Sequence, residues 1–158
     1  MELIQYVMRS KIGPLYLVAS KEYLTGVCFQ KQNIKTIKTF DPSRVQDKIL
    51  YKTVQQLEEY FVGQRREFDL PVSVSGTPFQ EKVWRELSKI PFAQTASYKD
   101  IARRIKNPKA VRAVGSANGH NPICIIIPCH RVITTDGSIG GYAGGPVIKR
   151  QLLAIEQG

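Results

Sequence analysis

Apolar and polar positions alternate along the first thirty residues, and then the period changes. ELIQYVMRS, the turn KIGP, LYLVAS and LTGVCFQ read as three strands joined by turns, since a period of two turns one strand face toward a core. From Val45 to Phe61 the spacing is helical, with Val45, Ile49, Val54, Leu57 and Phe61 expected on the buried side. REFDLPVSVSGTP then reads as an extended connection into a second module. The expected fold is α+β. Residues 1–75 would form a small α/β domain, an antiparallel sheet plus a helix, with its connecting segment; residues 76–158 would form a mainly helical domain.

The second module is punctuated by helix signals. Thr77 and Pro78 start a helix in which Phe79, Val83, Leu87 and Ile90 share one face, and Trp84 is expected to pack. Ser97 and Asp100 have the spacing of a capping box at the start of SYKDIARRI. After KNP, Asn107 is expected to cap a further helix that Pro108 opens, KAVRAVGSAN. Two short helices and a tight turn are the helix-turn-helix pattern. The second helix interleaves Ala110, Ala113, Gly115, Ser116 and Ala117 with Arg112, a small-residue face that admits a nucleic-acid groove closely. Close helix packing with Arg112 in solvent fits the same spacing, and the pattern alone does not choose. ICIII reads as a buried strand ended by Pro128. TTDGSIGGYAGG is a glycine-rich loop without the GKS or GKT of a P-loop. PVIKRQLLAIEQ closes the chain as a helix with Ile148, Leu152 and Ile155 on its apolar side and Glu156 beside them.

Composition narrows the partner. Lys and Arg total 23 against 13 Asp and Glu, a formal charge of +10, which favours a polyanion because neutralised phosphates release counterions. No run is long and apolar enough for a membrane span, and MELIQYVMRSK lacks a signal peptide's apolar centre, so a cytoplasmic protein with no membrane partner is expected. Three cysteines, Cys28, Cys124 and Cys129, make a poor disulfide framework. Cys28 is expected to be a small buried hydrophobe. His120, Cys124, Cys129 and His130 lack CxxC or HxxxH spacing, so no metal is expected.

The chemistry concentrates in CIIIPCHRVI. A cysteine attacks as its thiolate, an adjacent imidazole can take its proton, and a carboxylate can hold the imidazole in the right tautomer. Cys129, His130 and Glu156 are the candidates, with Glu156 resting only on its place in an otherwise apolar helix. An inert buried Cys129 fits the same residues.

IPCHRVI, with RAVGSANGHNPI before it, GGYAGG and KRQLLAIE after it, and FQEKVWRELSKIP and TASYKDIA upstream, resembles the O6-alkylguanine-DNA alkyltransferase family over about residues 76–157. The resemblance implies direct reversal of DNA alkylation, in which an alkyl group leaves O6 of guanine, with O4 of thymine a secondary source, and stays on Cys129 as a thioether. The protein would act once, without a cofactor, as a monomer on double-stranded DNA. The resemblance further implies that His130 deprotonates Cys129 through a water, Glu156 orients His130, and Asn121 braces the turn. Tyr98 would donate toward the guanine ring and help rotate the nucleotide. Arg112 would replace the flipped base, from a recognition helix with Ala113 and Gly115 in the minor groove. Backbone groups of Cys129 and Val132 would read the guanine edge, Tyr142 and the amide of Ala143 would lie near O6, and Asn107 and Thr135 would touch the strand. Base extrusion is required because a buried thiol cannot reach a carbon inside a duplex.

Two departures stand out. Ala143 replaces a serine of some relatives, removing a hydroxyl contact to O6, and Ala93 replaces a glycine common in that loop. Arg131 is expected to be structural, pairing with a carboxylate or backbone carbonyls. The competing classes are a noncatalytic alkylated-DNA binder, whose members lack the acceptor cysteine, a helix-turn-helix regulator and a cysteine hydrolase.

Overall fold

The computed structural model describes residues 2–158, and the chain divides into two compact units, Met1–Val74 and Ser75–Gly158. In the first, β1 (Ile4–Ser10) and β2 (Gly13–Ala19) form an antiparallel hairpin paired from Ile4 with Ala19 to Ser10 with Gly13. Gly13, at φ +106°, takes the positive φ that the tight turn requires. β3 (Leu24–Cys28) pairs antiparallel with β2. A fourth strand, β4 (Lys35–Ile37), adds parallel to β1, so the sheet is mixed rather than wholly antiparallel. Three residues with a lysine at one end carry no legible alternation. What holds β4 is the fully buried Gln5, whose amide donates to Thr36 Oγ1 at 3.0 Å and to the Gln32 carbonyl at 3.3 Å.

Helix α1 (Val45–Phe61) packs on β1 and β2 and buries Ile49, Leu50, Leu57, Tyr60 and Phe61. Val45, expected in the core, is 57% exposed, and Val54 is half-buried. The first turn instead buries Gln46, whose amide donates to the carbonyls of Glu2 and Ala19 at 3.0 and 3.2 Å. Cys28 is half-buried, and burial raises its thiol pKa.

The second unit packs three helices together: α2 (Pro78–Leu87), α3 (Tyr98–Arg104) and α4 (Val111–Gly119). Thr77 and Gln80 form a reciprocal capping box on α2, and Ser97 and Asp100 form one on α3. Trp84 is buried, and its Nε1 donates to the Ala117 carbonyl at 2.8 Å, tying α2 to α4. A two-strand parallel pair, β5 (Ala96–Ser97) with β6 (Val132–Ile133), and a last helix, α5 (Pro146–Gln157), complete the unit. Among the described residues no helix is long and apolar enough to cross a membrane.

Two expected elements differ. α4 begins at Val111 rather than at Pro108. The segment before it is a turn, with Lys106 at φ +61° and the Ala110 amide donating to the Asn107 carbonyl at 3.0 Å, so Asn107 caps nothing. ICIII is not a strand but a tight loop. Its amides bond within it, Ile126 to Cys124 and Ile127 to Ile123, instead of to a neighbouring strand.

Removing one capping oxygen tests the start of α2. Thr77→Ala is expected to lower unfolding free energy by about 1 kcal/mol, and Thr77→Ser to retain most of it. Urea denaturation of the three proteins measures the difference.

Candidate functional site

The loop between α4 and β6 is wound around Asn121. The Asn121 amide donates to the Ile127 carbonyl at 2.8 Å, and its Oδ1 accepts the Ile123 amide at 3.0 Å. The chain reverses at Ile125, which sits at φ +72°, a strained conformation for a β-branched residue. Cys129, His130 and Arg131 then form one 3₁₀ turn leading directly into β6, and all three are buried. Because β5 pairs with β6 and runs directly into α3, the same two-residue ladder anchors Tyr98, the first residue of α3, and the Cys-His-Arg turn.

Glu156, buried on α5, gathers this turn. Its Oε2 lies 2.6 Å from His130 Nε2, and it accepts from Arg131 Nε at 2.8 Å and Nη2 at 3.1 Å. Its Oε1 also accepts the Ala93 amide at 3.1 Å. Arg131 uses its remaining arm on the Ile90 carbonyl at 2.7 Å. An ionised carboxylate only accepts, so His130 carries its proton on Nε2 and presents a lone pair at Nδ1. That Nδ1 is buried and has no hydrogen-bond partner among the described residues. Burial holds the His130 pKa below its ordinary value, against the bond and charge of Glu156, so the ring is a neutral base at neutral pH.

The Cys129 thiol titrates below the ordinary range. The Cys124 thiol hydrogen-bonds it, burial opposes ionisation, and the Asn121 side chain and the Lys149 ammonium favour the thiolate. Lys149 is fully buried on α5; its Nζ donates to the Val132 carbonyl at 2.6 Å and to the Gly141 carbonyl at 3.1 Å. Burial lowers its pKa to about 8, and the Cys129 thiolate raises it. Asn118 donates to the Cys129 carbonyl at 3.3 Å. The backbone carbonyls of Cys129 and Val132 therefore already accept from side chains of this unit.

A cavity of about 600 Å³ opens between α4 and the glycine-rich loop. Tyr98, Gly115 and Asn118 line one side, and Thr135, Tyr142 and Ala143 the other. The Tyr98 ring stands where Gly140 leaves room, with Gly115 in contact on the other side. A Cβ on Gly140, which is at φ +74°, would lie 2.9 Å from the Tyr98 hydroxyl. Burial first, and then the Cys129 charge, raise the Tyr98 pKa, so its hydroxyl remains a donor at neutral pH. Arg112, Ala113 and Ser116 lie on the exposed side of α4, and Asn107 and Thr135 are also exposed.

Two family models match the chain in succession: the 6-O-methylguanine DNA methyltransferase ribonuclease-like domain over residues 3–74 and the DNA-binding domain over residues 78–158. The chain belongs to the 6-O-methylguanine DNA methyltransferase family. It is 44% identical over 150 residues to a methylated-DNA–protein-cysteine methyltransferase of Methanosarcina acetivorans, covering 95% of this chain and 96% of that protein. A constitutive enzyme of the same name from Bacillus subtilis is 52% identical over 109 residues, which is 68% of this chain and 66% of that protein. The Mycobacterium tuberculosis OGT crystallised in complex with DNA superposes with a TM-score of 0.85 at 41% identity, over 98% of this chain and 92% of that one.

Within this family member, sequence reasoning missed three groups. The apolar side expected for α5 is only half right: Leu152 is buried, Ile148 and Ile155 are half-buried, and the buried stripe is Lys149, Leu152 and Glu156. The i, i+3, i+7 spacing of that stripe was readable, but a lysine inside it reads as solvent-facing until acceptors are known. Asn118 and Cys124 gave no signal of their own. Arg131 pairs with both a carboxylate and a carbonyl, as expected of it. Ala93 adopts φ +67°, so the loop keeps a glycine-like conformation with alanine in it.

Three outcomes follow from this geometry. Glu156→Gln leaves the Arg131 guanidinium buried without its carboxylate, and a loss of about 3 kcal/mol in unfolding free energy is expected from denaturant melts. Thiolate absorbance, taken as the difference between wild type and Cys129→Ala, should titrate below the ~8.5 of a free cysteine. In Lys149→Met that midpoint should move upward, because losing a neighbouring cation disfavours the thiolate.

Proposed function

We propose that this protein repairs DNA by direct reversal, moving an alkyl group from O6 of guanine to Sγ of Cys129. The observation that carries the proposal is the Cys129 thiol, held toward its thiolate beside a neutral His130 whose Nδ1 is unpartnered among the described residues. The adjoining cavity falls in the ~300–1,000 Å³ range of small-molecule sites, so an extruded purine fits there better than a duplex does. The DNA carried by the tuberculosis relative supports the same partner.

In this reaction His130 takes the Cys129 proton at Nδ1, through a water as the family resemblance implies, and Glu156 holds the ring by Nε2. The thiolate attacks the alkyl carbon. A carbon–sulfur bond forms, the carbon–oxygen bond breaks, and its electron pair passes to O6 and the purine ring, toward which the Tyr98 hydroxyl donates. The thioether is not hydrolysed, so each chain acts once. Asn121 shapes the loop that carries the nucleophile. Arg112 enters the duplex from the small-residue face of α4, with Ala113 and Gly115 against the minor groove and Asn107 and Thr135 on the strand. Tyr142 and the Ala143 amide face O6, and backbone groups of Cys129 and Val132 read the guanine edge. Residues 76–158 carry this chemistry, with residues 1–75 an accompanying domain. The protein works as a monomer inside the cell, where its thiols stay reduced.

Incubation with duplex DNA carrying labelled O6-methylguanine should move one methyl per chain onto Cys129, read by mass of the intact protein. Labelling that persists in Cys129→Ala would sink the proposal. Arg112→Ala should slow repair of duplex DNA by about tenfold or more while reaction with free O6-methylguanine changes little, since the side chain offsets only the unstacking of the base. Equal losses on both substrates would remove Arg112 from that role.

A further inference from the structure

The mechanism uses one cysteine of this loop and leaves a second beside it. Cys124 and Cys129 are both buried, at 2% and 1% exposure, and the Cys124 thiol is near enough to Cys129 to favour its thiolate. The fold of the loop puts them there. The Ile126 amide returns to the Cys124 carbonyl at 2.9 Å, Ile127 to Ile123 at 3.0 Å and Cys129 to Ile127 at 2.8 Å. Asn121 lies between them: its carbonyl accepts from Cys124 Sγ at 3.7 Å, and its side chain is near enough to Cys129 to favour the thiolate. Closing a ring between positions so near in sequence has a small entropic cost.

We propose that Cys124 and Cys129 are an oxidative modification site, joining as a reversible disulfide when a peroxide reaches the loop. The Cys129 thiolate attacks one peroxide oxygen. A sulfur–oxygen bond forms, the oxygen–oxygen bond breaks, and hydroxide leaves and takes up a proton as water. Cys124 then attacks the resulting sulfenic sulfur as its own proton passes to the leaving oxygen; the sulfur–sulfur bond forms and a second water departs. Two thiols are oxidised by two electrons, and one hydrogen peroxide is reduced to two waters. Burial selects the partner. Cys124 is buried with Cys129 in one loop, so it is the thiol placed to resolve the sulfenic acid. The disulfide withdraws the acceptor and shields it from irreversible oxidation, and this consequence rests on Cys129 being the alkyl acceptor.

The sequence supplies a clean readout. Trypsin cuts after Arg112 and Arg131, so residues 113–131 carry both thiols on one peptide while Cys28 lies on another. After hydrogen peroxide and blocking of free thiols, that peptide should appear two hydrogens lighter and unblocked, and methyl acceptance should be lost. Dithiothreitol should restore both. In Cys124→Ser the same treatment should give sulfinic and sulfonic acid at Cys129 that dithiothreitol does not reverse. Direct sulfinic acid formation in wild type, a cross-link to Cys28, or identical oxidation products in wild type and Cys124→Ser would each overturn the proposal. Methyl acceptance of the untreated protein is measured in parallel. Its absence would refute the alkyl-transfer reading, while the peptide mass decides the disulfide independently.

Discussion

The site depends on one buried carboxylate. Glu156 receives the His130 imidazole, two arms of the Arg131 guanidinium and the Ala93 amide. Charges taken out of water must be compensated by neighbours, and here the compensation comes from two separate stretches of chain. The loop at Ala93, the Cys-His-Arg turn and α5 are thereby bound to one another. One interaction thus sets the tautomer of His130 and the position of the turn that displays Cys129.

Around that carboxylate the backbone holds conformations that side chains usually avoid. Ile125 and Ala93 both have positive φ, at 72° and 67°. Such conformations persist where surrounding contacts over-determine them, and in each case the contacts are visible: Asn121 spans the Ile125 loop, and Glu156 holds the Ala93 amide. On α5 the Lys149 ammonium sits inside the protein with two carbonyl acceptors and the Cys129 thiol nearby. Stability is given up locally for a thiol poised to ionise. The same enclosure that poises Cys129 also seats Cys124 against it, which links reactivity to vulnerability to oxidation.

Much of this was readable from residue order. The capping boxes at Thr77 and Ser97 rest on contacts within four residues, so they appear in the structure as the spacing predicts. α1 has the bounds its period gives, although its first turn buries Gln46 and not Val45, because backbone acceptors of the sheet lie there. β4, β5 and β6 were not legible, being two or three residues long and defined only by distant partners. ICIII misled because a run of apolar residues reports burial and not conformation: the residues are largely buried, but their amides bond within the loop.

The sequence by itself determined the family, the identity of the Cys-His pair and the helix-turn-helix pattern, since each rests on residue type and short spacing. Only the tertiary structure decided that Arg131 shares the carboxylate of His130, that Lys149 is buried beside the nucleophile, and that Cys124 lies against Cys129. Each of those depends on where a side chain's charge or thiol finds its partner. Such partners lie up to 63 residues away, as Ala93 does from Glu156, or close in sequence across a reversal that no local propensity encodes.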